Sequence, residues 1–522
     1  MPPPLALVAL VLIACDEGKS GETAPSDSGD TTAVPALDAR SSLVRASLDL
    51  LGRRPPPEAL KTADEAAFEA LIVGAESDPA LGRRAAWMWN DALHQAAWRD
   101  DLARLSVLEP GIMRSLAWEP LAGIEAIVNE DRPMTELFSA ASWPADPVVA
   151  ELWGLPYTGE NGGWGWTSYA DGRPLAGLLS TNGLWMRHQA DQTNFHRRRA
   201  NMLTRVFLCA DFFDRDVDLA SDSTLGGTDV EEAVRSEASC VTCHAALDPI
   251  AGFLGGFSER SEPATLQQAG QYSPWLADWA AARSPPAWFG NPGADVGDLG
   301  RFMAADPRFP RCVAQRAYEG LTGGSFAEAP EREALVEAFV ESGYRWDKLV
   351  GAVARTSGWR TPELRRLSVD QRVISTTAAL GLAAGASGAW EGLDELLLEG
   401  DLRVLGGDSD DVDVLGRATT AAPAHLLAAE WLARVAVPEA LDEDRLRAAD
   451  KRLLLPANEA TIDEGEIRAQ LATLWARLLS APVAADSAEI DRLYALWLAA
   501  DPADPWGEVI EALLQHPMMG LH

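Results

Sequence analysis

At 522 residues the chain is more than three times the ~150 residues typical of one domain, so two to four domains are expected and a single small module is excluded. Apolar residues make up 47 % and charged residues 23 %, an ordinary globular balance that excludes a mostly disordered chain. The 78 acidic side chains outnumber 44 basic ones and leave a net charge of -34, which repels phosphate backbones and excludes a nucleic-acid partner.

Residues 5–14 (LALVALVLIA) form a short apolar run that ends at Cys15. A run of this length followed by small residues reads as a secretory signal over residues 1–14 and is too short to span a bilayer. The four residues Leu12-Ile13-Ala14-Cys15 resemble a bacterial lipobox, which implies that Cys15 carries lipid and anchors the mature chain. Beyond the leader no run of ~18 apolar residues occurs, so the membrane is reached through that lipid only. Residues 15–37 lack large apolar side chains and are rich in turn formers, which predicts a flexible spacer.

From Asp38 onward apolar residues fall at helical spacing. Leu43, Ser47, Leu50 and Leu51 mark one face, and Gly52 stands where a left-handed cap is wanted. The three prolines before Glu58 predict a second helix through Ala59, Leu60, Phe68, Leu71 and Ile72, and residues 81–105 predict a third, with Trp87, Trp89 and Trp98. Residues 157–174, rich in Gly, Trp and Thr, predict a long loop or irregular hairpin. No strand precedes those glycines and no Gly-Lys-Ser/Thr follows, so they do not form a phosphate-binding loop.

An internal repeat is visible further on. Residues 312–359 and 468–519 show the same order of elements, with Tyr318 matching Trp475 and Trp346 matching Trp506. Each copy reads as three short helices packed through aliphatic stripes and a tryptophan, a duplicated structural module.

Chemistry concentrates at Cys240-Val241-Thr242-Cys243-His244. Two thiols at i and i+3 followed by His form the pattern that bonds the two vinyl groups of a haem and brings an imidazole to its iron. A redox dithiol needs a surrounding βαβ pattern, and a zinc site needs a second ligand pair at similar spacing; neither is present. The motif therefore predicts one covalent haem c, bonded to Cys240 and Cys243, with His244 as an iron ligand whose other ring nitrogen needs a carbonyl or carboxylate partner. Export fits, because haem attachment of this kind takes place outside the cytoplasm. Pro249 is expected to end the motif's helix, and Gly252, Gly255 and Gly256 with Phe253 and Phe257 to let the macrocycle approach closely.

The sixth iron position stays open on the sequence alone. Met303, 59 residues after His244, is the first choice. Met186, Met202, His188 and His196 are alternatives, as is an open or water-bound iron. Once the haem and lipid cysteines are assigned, Cys209 and Cys312 remain, and an even remainder in an exported protein predicts a disulfide. Trp275, Trp279 and Trp288 follow the haem segment closely enough to flank it. Asp408, Asp410, Asp411 and Asp413 read as a solvated acidic turn, since Val412 occupies a ligand position of a calcium loop.

Residues 240–257 (CVTCHAALDPIAGFLGGF) resemble the haem segment of planctomycete-type cytochrome c proteins, exported multi-domain chains built around one such motif. Residues 45–58, 177–209, 364–380 and 467–519 are similar to other modules of that group. The resemblance implies a monohaem electron carrier or redox partner and supplies no substrate.

The expected fold is mainly α, with several helical modules around a c-type haem segment and an irregular loop or small hairpin region. The expected order is an N-terminal helical region over 38–230, the haem segment over 231–262, and helical modules over 263–364 and 365–522 that carry the repeat copies. The expected function is single-electron transfer with a redox partner protein in the cell envelope, as a periplasmic or outer-surface lipoprotein. Two other readings stand beside it: an envelope binding or scaffold protein with structural haem, suggested by the large helical excess over a simple carrier, and a haem-dependent reductase or peroxidase-like enzyme.

Overall fold

The computed structural model describes residues 37–96, 110–190, 195–212, 238–257, 271–382, 407 and 422–522. These residues carry nineteen α-helices and two two-stranded hairpins, the mainly helical architecture that the apolar spacing implies. All lie within one compact unit, Ala36–His522. Cys15 and the acidic stretch from Asp408 to Asp413 lie outside the described residues.

Helix α1 (Ala39–Leu51) starts where Asp38 accepts the Ser41 N–H and stops where Gly52, at φ 67°, donates back to Leu48 O. The next element differs from the sequence expectation. Residues 59–62 form only a 3₁₀ turn, and after extended Ala63 the Asp64 carboxylate accepts from Ala67 N to start α2 (Glu65–Ala75) afresh. A short acidic side chain that satisfies a first-turn N–H competes with continuing the helix through it. Helix α3 (Pro79–Leu93) ends at His94, which turns left-handed, so the expected helix over 81–105 stops early; residues 97–109 lie outside the described set.

Helix α4 (Pro110–Asn129) packs along α3, and α5 (Glu136–Ser139) follows. Strand β1 (Trp143–Ala145) and β2 (Gly165–Thr167) pair antiparallel around α6 (Pro147–Trp153), so the stretch read as an irregular hairpin supplies one strand of a two-strand sheet. Helices α7 (Asn182–Arg187) and α8 (Arg197–Leu208) lead to the motif helix α9 (Ala238–Gly252). After it come α10 (Pro274–Arg283), the hairpin β3 (Ala287–Trp288) and β4 (Asn291–Pro292), and α11 (Val296–Ala305).

The two repeat stretches each fold as three mutually packed helices. They are α12 (Arg308–Thr322), α13 (Arg332–Glu341) and α14 (Trp346–Val353), and, beyond α15 (Val369–Leu380) and α16 (Pro423–Leu446), α17 (Glu464–Leu479), α18 (Ala488–Ala499) and α19 (Pro505–Leu514). Trp346 and Trp506 each lie at the start of the third helix of their unit, and both are buried, as are Tyr318 and Trp475 on the first helices.

A buried polar clasp ties α1 to residues far along the chain. Arg45 donates to the carbonyls of Trp359 (3.0 Å), Thr361 (2.7 Å) and Glu363 (2.6 Å). Asp49 accepts from Trp359 Nε1 at 2.8 Å and pairs with His522 Nε2 at 2.8 Å. Nearby, Arg84 and Asp370 form a buried ion pair at 2.7 Å. Charges withdrawn from water in this way stay affordable only because each has a partner, and removing one side of such a pair costs ~3–5 kcal/mol.

Candidate functional site

On α9 the residues Cys240, Cys243 and His244 stand at i, i+3 and i+4 and therefore share a face. All three are half-buried, whereas Leu247, Ile250, Ala251 and Leu254 beyond them enter the main core. The later turns thus anchor the helix while the motif turn stays near the surface. Pro249 does not end the helix, contrary to the sequence expectation. Its missing N–H removes the bond to the carbonyl of Ala245, an exposed residue whose oxygen water can satisfy, and the buried residues that follow hold the helix to Gly252.

His244 Nδ1 lies 3.0 Å from Asp248 Oδ1, one turn along the same helix. The Asp248 carboxylate is also ion-paired with Arg197, the first residue of α8, and its backbone carbonyl accepts from Ser284 Oγ at 2.9 Å. The Nδ1–H to carboxylate bond fixes the ring's orientation and tautomer and leaves Nε2 as the lone-pair nitrogen. The sequence called for a carbonyl or carboxylate without naming it; the i,i+4 spacing of Asp248 was the signal available. Neither Cys240 nor Cys243 is in a disulfide, and Cys243 Sγ lies 3.5 Å from the Phe212 carbonyl oxygen. Two thiols and an imidazole with one ring nitrogen already held suit covalent haem attachment. Among the described residues no group of three or more His, Cys, Asp or Glu is placed to hold a bare metal ion.

The glycines after the motif serve a purpose other than the one expected. A Cβ at Gly255 would lie 2.1 Å from Ala280 Cβ on α10, and one at Gly256 would lie 2.2 Å from the Tyr272 ring. They admit the neighbouring segment of the protein itself. Phe253 packs on Phe302, and Phe257 packs on Trp185 and Tyr272, so both rings belong to the core.

Met303 is fully buried on α11, a helix that packs on α5 and the turn at Gly177–Ser180; the Phe302–Phe253 pair links its neighbourhood to the end of α9. Met186 and Met202 are likewise buried. His188 Nε2 lies 3.0 Å from Leu93 O, and burial with Arg187 close by keeps this ring well below the usual histidine range and neutral. His196 Nδ1 accepts from Arg199 Nη1 at 3.0 Å, and burial again holds it well below its ordinary range.

Cys209 and Cys312 form a disulfide with a Cα separation of 5.3 Å, joining the end of α8 to α12 across 103 positions. Because α8 also packs on α9, the bridge secures the platform beneath the motif helix. Trp275 and Trp279 are exposed on α10, while Trp288 is buried and donates to Asp306 Oδ2 at 3.0 Å.

A buried acidic centre beside α7 has no counterpart in the sequence pattern. Glu119, 1 % exposed on α4, accepts from Tyr169 Oη at 2.5 Å and from Gly183 N at 2.7 Å. Burial raises its pKa to about 7, against the lowering effect of those two bonds. Arg173 lies 3.7 Å over the Tyr169 ring and pairs with Asp171, whose Oδ2 accepts from Tyr272 N at 3.4 Å. The network thereby reaches the ring packed against Gly256, just beyond the motif helix.

No known protein family, curated protein or solved structure matches the chain. Its fold and site define a mainly α-helical protein with a Cys-x-x-Cys-His turn presented at the surface of one helix. Among the described residues no helix is long and apolar enough to cross a membrane.

Proposed function

We propose that this protein is a monohaem c-type cytochrome of the cell envelope, anchored by lipid on Cys15, that exchanges single electrons with a partner protein. The observation that carries the reading is the shared face of Cys240, Cys243 and His244 with the His244 ring held from behind by Asp248. Cys240 and Cys243 supply the two thioether sulfurs, and His244 supplies Nε2 to the iron. Haem bound in this way provides a one-electron couple.

The chain's own residues set the conditions. Asp248 orients the imidazole and strengthens it as a donor, and Arg197 balances the carboxylate's charge. The half-buried motif turn remains accessible to the attachment machinery and to a partner. The net charge of -34 favours a partner with a basic docking face, because complementary fields speed encounter.

The test is production in a host that attaches haem to exported proteins, followed by a denaturing gel stained for haem and a redox titration. A haem-positive band lost in Cys240→Ser and Cys243→Ser, with a reversible couple unaffected by carbon monoxide, supports the carrier. A colourless exported protein whose two motif thiols react with an alkylating reagent overturns it. Carbon monoxide binding to the reduced iron would transfer the case to a haem-dependent enzyme.

A further inference from the structure

A cavity of about 400 Å³ lies between α1, the turn at residues 53–57 and α2, remote in sequence from the Cys-x-x-Cys-His helix. That volume falls within the ~300–1,000 Å³ of small-molecule sites. Its walls are largely apolar, formed by Leu43 and Leu51 of α1, Pro55, and Leu71 of α2. Arg54 borders the same cavity.

The electrostatics of Arg54 set this cavity apart. Its Nη2 donates to the Met518 carbonyl at 2.6 Å and its Nη1 to Ser480 Oγ at 3.3 Å, while Nε is buried without a hydrogen-bond partner. Neighbouring Arg53 is ion-paired with Asp78, yet among the described residues Arg54 meets only neutral acceptors, in a chain with 78 acidic residues. Burial without a carboxylate to offset it pulls the Arg54 guanidinium down to about 10. A half-buried cation that lacks a carboxylate partner beside an apolar hollow gains from an anion placed there.

We propose that this cavity binds a small amphiphilic monocarboxylate, with its alkyl chain against Leu43, Leu51 and Leu71 and its carboxylate against Arg54. One uncompensated guanidinium and apolar walls match a single negative charge on a hydrocarbon body; a phosphate group would bring more charge than one cation offsets and nothing to fill the apolar part.

The probe is sodium octanoate, titrated calorimetrically into the full chain at pH 7. Saturable binding at one site is expected, with 1-octanol at least tenfold weaker. Arg54→Gln is expected to weaken octanoate at least tenfold and Arg54→Lys to retain most of the affinity. Ala70→Trp, at the exposed rim of the cavity, is expected to abolish binding while leaving the helical circular dichroism unchanged; it decides the matter should Arg54→Gln fail to fold. Absence of saturable binding, equal affinity for octanol, or undiminished binding by Ala70→Trp would each overturn the proposal.

Discussion

Asp248 accepts a hydrogen bond from His244 at 3.0 Å and at the same time is ion-paired with Arg197, so one carboxylate couples the motif helix to α8. Replacing it by Ala leaves the two motif cysteines in place but releases the back of the imidazole. In haem-loaded protein Asp248→Ala is expected to keep its covalent stain and to show a raised reduction potential, because the imidazole becomes a weaker donor. Loss of a support of this kind weakens metal sites ~10–100-fold. Potentiometric titration of wild type and variant provides the comparison, and an unchanged midpoint would contradict the role assigned to Asp248.

The Cys209–Cys312 bridge closes a loop that contains the whole motif helix. Cross-linking at a separation of 103 positions is worth ~4–5 kcal/mol in the chain-entropy account. The double variant Cys209→Ser/Cys312→Ser is expected to lose about that much in urea unfolding. A loss below ~1 kcal/mol would mean that the unfolded chain gains little from the cut.

Glu119 makes stability fall as pH rises. Its native carboxyl holds its proton up to about 7, whereas the unfolded glutamate releases it near 4.5, so the native state binds more protons between these values. The contribution is fully present below pH ~4.5 and is lost as pH climbs through ~7, amounting to ~3 kcal/mol. Glu119→Gln is expected to flatten that slope. Unfolding free energies at pH 5 and pH 8 for both proteins measure the difference, and parallel slopes would remove Glu119 from the account.

Gly255→Ala tests the packing of α10 on the turn that follows the motif helix. The added methyl would meet Ala280 Cβ at 2.1 Å, a distance that forces this turn and α10 apart. Overpacking of this sort costs ~1–3 kcal/mol. A lower melting temperature with faster amide exchange in α9 is expected; a variant as stable as wild type would show that the interface yields freely.

What could be read from the sequence was local. Asp38 and Gly52 delimit α1 through bonds within a few residues, and the spacing of Cys240, Cys243 and His244 puts them on one face of any helix that contains them. The prolines before Glu58 and Pro249 misled because the outcome of each signal depends on context: extended Ala63 and the Asp64 cap moved the second helix's start to Glu65, and the exposed Ala245 carbonyl made Pro249 tolerable inside its helix. Glu119 with Tyr169, and Arg54 with Met518, join residues 50 and 464 positions apart, and no periodicity encodes such pairs. The glycines at 255 and 256 were legible as sites of close approach, but the approaching group was set by tertiary packing.

The clasp around Arg45 and Asp49 also dictates a schedule. Arg45 reaches partners 314 and 477 positions later, so the clasp on the first helix can close only after those residues have been made. Contacts of such long range slow folding, since loop entropy must be overcome before they form. During that delay the Cys240–His244 stretch emerges well ahead of the residues that close the body, which opens an interval for any covalent modification there to be completed before folding ends.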